Sequence, residues 1–254
     1  DTKALFIETL DLGGVKTYVR QVKEIEDVDC KTNEDFMEIS VSLDKQLEAV
    51  NFTYMRSFGG QMINNLKGYY DNASSDKKEE FRTNIIKSFT VQDIEIKSSS
   101  VQNFELNTDN WPKPMIFNAE VSSKALLEQA GPKLFLKIGE LIGSQSELYD
   151  ENERRNEINI GNQHGYLRKI SVKIPEGYEI ANLEDINMNF MCMKGKEKLC
   201  EFVSSYVLKG NVLDIKIDEN YCKTQLPKSV YPAFQKVINA AADWNKVVLV
   251  IQKK

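Results

Sequence analysis

The sequence predicts a mainly β protein, a sandwich-like arrangement of antiparallel strands with two or three helices, one of them near the C-terminus. Segments in which apolar and polar residues alternate recur along the chain and are rich in Val, Ile, Phe and Tyr. Amphipathic helical patterns are few by comparison. About ten short strands separated by turns favour a sandwich.

The clearest strand pattern lies between residues 36 and 57, where alternation is broken once by a short polar stretch. This pattern predicts a β-hairpin with one apolar face. Its apolar positions are Ile39, Val41, Leu43, Val50, Phe52 and Tyr54. The same period recurs at 170–174 and 213–217, and further β-type runs cover 4–10, 90–96, 115–121, 202–208 and 247–251.

Three segments have the spacing of helices. Residues 77–89 follow a capping-box pattern formed by Asp76 and Glu79, and 61–71 has the pattern of a shorter helix. Near the C-terminus, Ser229 can cap a helix with Pro232 in its first turn. That helix should lead directly into a terminal buried strand at 247–251.

Length and charge limit the number of domains and the classes of partner. The 254 residues are enough for one or two domains, and the polar run at 143–156 is the best boundary. It divides the chain into a β-rich domain at 1–148 with one or two helices and a smaller β domain at 152–254; the alternative is a single unit. A net charge of -5 argues against nucleic acid, and no apolar run is long enough to span a membrane.

Residue patterns of known catalytic, cofactor and metal sites are missing, so we expect none of the three. His164 is the one histidine and lies in a turn-like segment, where a solvated side chain is the simplest interpretation. The glycine pairs lack the spacing of a phosphate-binding loop. Carboxylates are plentiful, so a glycosidase-like pair stays a third hypothesis for the function.

The four cysteines are Cys30, Cys192, Cys200 and Cys222, and none forms a C-x-x-C pair. Cys192 and Cys200 flank a predicted hairpin and could face each other across it. A disulfide between them and two independent buried thiols are both open at this point.

Aromatic residues in turn-like surroundings are the one indication of a binding surface. Trp111 lies between Asn110 and Pro112, and Tyr69 and Tyr70 are adjacent. Such rings can stack on a sugar or on a partner protein, although packing beneath a loop is the common alternative.

Several motifs in the second half resemble a known family. The segment Glu153–Ile158 is followed by Tyr166 and then by Ile174-Pro175-Glu176-Gly177-Tyr178. In this order they resemble the region after the catalytic core of transglutaminase-like proteins of Bacteroidetes-type bacteria, whose flanking segments are domains of unknown function. The resemblance extends from about 115 to 254 and is faint before that, and the family often has Pro where Glu157 stands.

The resemblance implies a noncatalytic role. Members of the family that are enzymes carry Cys, His and Asp in a papain-like core that precedes this region, and no position here matches that triad. The chain would then be a trailing accessory portion, in keeping with a first residue, Asp1, that is not Met. Since such proteins are generally exported, the resemblance also implies the periplasm or the cell surface.

Two hypotheses follow beside the carboxylate-dependent hydrolase. The first is a noncatalytic accessory module that packs on an upstream transglutaminase-like domain or on another protein. The second is an independent glycan- or peptide-binding module on the cell surface that uses Trp111, Tyr69 or Tyr70. An extended apolar surface patch would favour the first.

Overall fold

The computed structural model describes residues 2–25, 29–88, 93–107, 109, 112–149 and 154–254, and the protein is mainly β. The strands in the described part of the chain are β1 Thr2–Asp11, β2 Lys16–Ile25, β3 Glu34–Leu43, β4 Val50–Phe58, β5 Glu95–Gln102, β6 Met115–Ser123, β7 Leu127–Ala130, β8 Lys133–Leu136, β9 Ile158–Asn159, β10 His164–Lys173, β11 Tyr178–Ile180, β12 Met188–Lys194, β13 Glu197–Lys209, β14 Val212–Tyr221, β15 Gln225–Leu226 and β16 Leu249–Lys253. The described α-helices are α1 Met62–Asn72, α2 Ser75–Lys87 and α3 Tyr231–Trp244.

An eight-stranded sheet organises the molecule. Its strand order is β12-β13-β14-β10-β3-β4-β6-β5, and the neighbours are antiparallel except β10 and β3, which run parallel. A four-stranded sheet has the order β11-β16-β8-β7, while β1 and β2 form a separate hairpin. The parallel pair joins strands that are far apart in sequence, a pairing that local alternation does not specify.

The main hydrophobic core lies against one face of the eight-stranded sheet. Alternate residues of its strands are buried there, including Ile39, Val41, Ile170 and Val172. The second layer consists of α3 and the four-stranded sheet, whose apolar side chains belong to the same core. Two layers around one core confirm the predicted sandwich-like, mainly β fold with a C-terminal helix.

Most predicted elements are present, with changes at their ends. The 36–57 hairpin is β3 paired with β4, and α3 contains Pro232 in its first turn. The capping box at Asp76 is wrong, because α2 begins at Ser75 after Ser74 and no side chain caps it. The predicted run at 90–96 lies partly outside the described residues, and β5 begins at Glu95.

Strands from both sides of the predicted boundary at 148–152 share the same sheets. Strand β10 pairs with β3 along nine residues, and β16 pairs with β8. The side chains of both segments also contribute to one core. Residues 2–148 and 154–254 are therefore joined by main-chain hydrogen bonds as well as by apolar packing.

Candidate functional site

The buried face of the eight-stranded sheet changes character at one end of the strands. On β10 the apolar row of Val172 and Ile170 continues on the same face with Arg168, Tyr166 and His164, because side chains two residues apart point the same way. Polar and aromatic side chains thus replace the hydrophobic core there.

The neighbouring strands make the same change. The apolar row of β14 ends in Glu219 and Tyr221, while that of β3 ends in Asp35. Arg56 follows Tyr54 on β4. The register places Tyr166 between Asp35 and Glu219, so the polar ends of the strands are side by side.

A buried ion pair occupies the centre of this cluster. The side chains of Arg168 and Glu219 are each 4% exposed, with 3.4 Å between Nη1 and Oε2. The Tyr221 hydroxyl donates to Oε1 of Glu219 at 2.7 Å, whereas the Arg168 Nε has no hydrogen-bond partner among the described residues. Since removing charges from water is costly, this ion pair adds little stability compared with apolar side chains of similar volume at the same positions.

A second ion pair lies beside the first. Arg56 donates to both carboxylate oxygens of Asp35, at 2.9 and 2.6 Å, and Asp35 is 2% exposed. Burial alone would lower the pKa of Arg56, but the hydrogen bonds and charge of Asp35 outweigh it and raise that pKa. The two-bond geometry holds Asp35 as a paired carboxylate.

The tyrosines of the cluster are held in their neutral form. Burial, followed by the charge of Glu219, raises the pKa of both Tyr166 and Tyr221 above its usual value. The hydrogen bond from Tyr221 to Glu219 acts in the same direction. A neutral phenol can still donate a hydrogen bond, which suits these two residues to binding.

A cavity of about 360 Å³ opens beside the cluster, a volume at the small end of the range for ligand sites. It lies between the polar end of the sheet, helix α3, the loop at 144–146 and strand β9 with the residue that follows it. We call it the polar pocket. Its principal side chains are Arg154, His164, Tyr166, Glu219, Tyr221 and Phe234.

His164 belongs to this pocket and is not the solvated turn residue that the sequence predicts. It is the first residue of β10 and is partly buried, and its ring lies 4.9 Å from that of Tyr221 and 5.3 Å from that of Tyr166. Its Nδ1 is 2.9 Å from the carbonyl oxygen of Asn162. Because a carbonyl oxygen only accepts, Nδ1 carries the proton and Nε2 is the remaining site for a ligand.

Of the two alternatives for Cys192 and Cys200, the structure has two buried thiols and no disulfide between them. The disulfide joins Cys30 and Cys222, whose Cα atoms are 4.9 Å apart, and Cys192 and Cys200 are free buried thiols. The latter two do face each other across the β12–β13 hairpin. Burial raises the pKa of both thiols, so they have the character of core residues.

Of the aromatic residues expected to form a binding surface, the two that the structure describes differ in exposure. Tyr70 is 5% exposed and packs in a small core with Phe58, Met115 and other apolar residues, so its ring is unavailable to a ligand. Tyr69 is 52% exposed, with its ring 5.1 Å from that of Phe81. Trp111 lies outside the described residues.

Hairpin β1–β2 exposes apolar side chains on both of its faces. Register places Leu5 opposite Val22 on one face, and Phe6 and Leu10 on the other. Leu5 and Val22 are 57% and 68% exposed. The described hairpin residues belong to neither hydrophobic core and hydrogen-bond to no other strand.

No helix in the described part of the chain has the length and hydropathy needed to cross a membrane. Within the same residues, no group of three or more His, Cys, Asp or Glu side chains is placed to hold a metal ion.

Sequence reasoning missed the polar pocket, although a signal was present. Arg168 is two and four positions from Ile170 and Val172, so it lies on the same face of its strand. Glu219 is likewise two and four positions from Ile217 and Ile215. A charged residue that continues a buried row indicates a buried charge, and buried charges require partners.

Comparison of the chain with protein-family models returned no match. Comparison with curated proteins also returned no match.

Proposed function

We propose that this chain is a noncatalytic accessory module of an exported transglutaminase-like protein, and that it docks on the catalytic domain through hairpin β1–β2. The observation that carries this proposal is the exposure of apolar residues on both faces of the hairpin. A two-stranded hairpin is at best marginally stable alone in water. A partner that covers it would supply the missing burial.

The chemistry of the hairpin favours an apolar partner surface over a charged one. Lys3 is paired in register with Glu24, and Asp11 with Lys16, so these charges are balanced within the hairpin. Its outer strand edges are unpaired, and such edges accept strands from another protein. A protein domain with apolar side chains and a free strand edge fits both features.

The state of the buried ionisable groups supports a noncatalytic role. Asp35 is held by two hydrogen bonds from Arg56, and Glu219 by Arg168 and Tyr221.

The disulfide supports the proposed location in the periplasm or on the cell surface. The bond between Cys30 and Cys222 links residues 192 positions apart. Disulfides of this structural kind persist in oxidising compartments and are rare in the cytosol.

Amide hydrogen exchange tests the docking proposal. The chain is measured alone and mixed with the transglutaminase-like domain encoded beside it, and we expect residues 2–25 to become protected in the mixture. Val22→Lys should weaken binding by at least about tenfold, because a buried Val contributes about 1.5–3 kcal/mol. Val207→Lys, at a residue 53% exposed on β13, is the matched control and should bind normally.

Two results would contradict this proposal. One is binding of the catalytic domain with no added protection of the hairpin, and the other is equal weakening by both substitutions. A gene that encodes this chain without any Cys/His/Asp core, on itself or on a neighbour, would contradict the family assignment.

The second candidate function is an independent glycan- or peptide-binding module. The polar pocket favours it, because aromatic and hydrogen-bonding side chains converge there. Tyr70 no longer supports it, since that ring is buried.

A further inference from the structure

We propose that the polar pocket binds one sugar residue at the end of a glycan. This inference does not depend on the docking proposal, because hairpin β1–β2 contributes no residue to the pocket. Four features of the pocket lead to it: its aromatic wall, its buried carboxylate, its charge and its size.

The aromatic wall comes from two strands and a helix. The rings of His164 and Tyr221 are tilted by 31° to each other, whereas Tyr166 stands edge-on to His164 at 83°. Phe234 of α3 has its ring 6.4 Å from that of Tyr221, and since these two side chains are only 7% and 5% exposed, the rings open to a ligand are those of His164 and Tyr166. A pyranose presents a face of C–H groups, and packing that face on aromatic rings removes apolar surface from water.

Glu219 provides a hydrogen-bond acceptor at the base of the wall. One of its oxygens accepts from Tyr221, and the other has one long contact, 3.4 Å, with Arg168. A carboxylate has about four acceptor positions. Capacity therefore remains for hydroxyl groups of a ligand, and a site built on such contacts rejects ligands that lack them.

The charges around the pocket disfavour a cationic ligand. Arg154 lines the opening and Arg168 lies behind Tyr166, with its guanidinium 4.7 Å from the ring centroid. Glu219 is the acidic residue of the lining, so two cations face one carboxylate. A neutral sugar adds no charge to this field, whereas an amine adds a third cation beside the two arginines.

Hydrogen-bonding groups are spread around the remaining wall. Arg154 donates from Nε and Nη2 to the backbone carbonyls of Asn156 and Glu157, which orients its guanidinium. The Nε2 of His164 is available, as its Nδ1 is used by Asn162. A ring with hydroxyls on several carbons can use groups distributed in this way, and a cavity of about 360 Å³, at the small end of the range for ligand sites, suits a single such ring.

The test is titration of the full chain with glucose, galactose, N-acetylglucosamine, galacturonic acid and butylamine, followed by saturation-transfer NMR. We expect saturable binding of at least one sugar with a Kd on the order of 1 mM, as befits a small ligand. We expect no binding of butylamine. A glycan array then gives the preferred terminal sugar.

Three variants locate the binding. Tyr221→Phe keeps the ring but removes the hydroxyl that holds Glu219, and should weaken the sugar at least about tenfold. Ser146→Trp places a large side chain on the exposed rim and should abolish binding without disturbing the buried network. Ser75→Trp, at an exposed position on α2 away from the pocket, is the matched control and should bind the sugar as the natural chain does.

Three outcomes overturn the proposal: binding of none of the sugars, binding of butylamine in their place, or sugar binding that Ser146→Trp leaves unchanged. Circular dichroism confirms that each variant is folded. Since Ser146 is exposed on a loop, this variant keeps the test decisive even where Tyr221→Phe is destabilised.

Discussion

The ion pair between Arg168 and Glu219 gives the sharpest test of the structure. Arg168→Met removes the cation and leaves a carboxylate that is 4% exposed. Breaking a buried pair in this way costs about 3–5 kcal/mol of unfolding free energy, because one charge is left without its partner. Glu219→Leu should cost a similar amount for the opposite reason, a buried guanidinium without its carboxylate.

The double variant separates this explanation from simple loss of packing. Arg168→Met combined with Glu219→Leu removes both charges, and replacement of a buried pair by apolar side chains is often close to neutral. We therefore expect the double variant to lie within about 2 kcal/mol of the natural chain, far from the sum of the single losses. Tyr221 is one of the residues that line the pocket, so water can replace Glu219 as the acceptor of its hydroxyl.

Urea unfolding at neutral pH measures these differences. The fluorescence of Trp244, which is fully buried in the core, reports the transition, and circular dichroism checks that one transition is observed. A loss below about 1 kcal/mol for Arg168→Met would contradict a buried, unpaired Glu219 carboxylate in this variant. So would a double variant whose loss equals the sum of the two single losses.

Three further predictions concern the turn after β4, the disulfide and the tyrosine hydroxyl. Gly60→Ala should lower the free energy of unfolding in urea by at least about 2 kcal/mol, because φ at Gly60 is +60° and backbone atoms crowd the position of an added Cβ. Gly68→Ala, on α1 where an added Cβ meets open space, should raise it by about 0.5–1 kcal/mol, and equal effects of the two substitutions would contradict backbone strain at Gly60. Replacing Cys30 and Cys222 together by Ala should lower the free energy of unfolding by about 3–5 kcal/mol, since the disulfide joins residues 192 positions apart. A reductant should lower the Tm of the natural chain but not that of this variant. The pKa of Tyr221 is raised in the folded state, so its contribution to stability is present below the ordinary tyrosine pKa of about 10 and is lost as the pH rises above it. Tyr221→Phe should therefore flatten the fall of the urea midpoint between about pH 9 and 11, and an unchanged slope would contradict this.

Alternation along the chain was sufficient to predict most strands of the eight-stranded sheet, whereas β8 and β11, which also contribute core residues, carried no such pattern. Ile39 and Val41, like Ile170 and Val172, are buried on one face as their spacing predicts. Strand formation depends on the burial of one face of each segment, and that requirement is written locally in the residue order. The C-terminal helix was predicted for the same reason, from the spacing of its apolar residues.

The polar pocket was not predicted because its members come from distant parts of the chain. Asp35, Tyr166 and Glu219 are adjacent across three strands, although more than 50 residues separate each from the next. Cys30 and Cys222 are a second example, since neither has a local feature that identifies its partner. Spatial neighbours of this kind depend on strand order.

The residue order specified the inward-facing apolar positions of the alternating strands, and with them the mainly β, sandwich-like class and the C-terminal helix, but not the burial of Tyr70 or the place of His164 in the pocket. The tertiary structure alone decided the order of strands, the parallel pairing of β10 with β3, the disulfide and the pocket. The physical reason is range: burial of a side chain is specified by residues a few positions away, whereas strand pairing is selected by the packing of the whole sheet against its second layer.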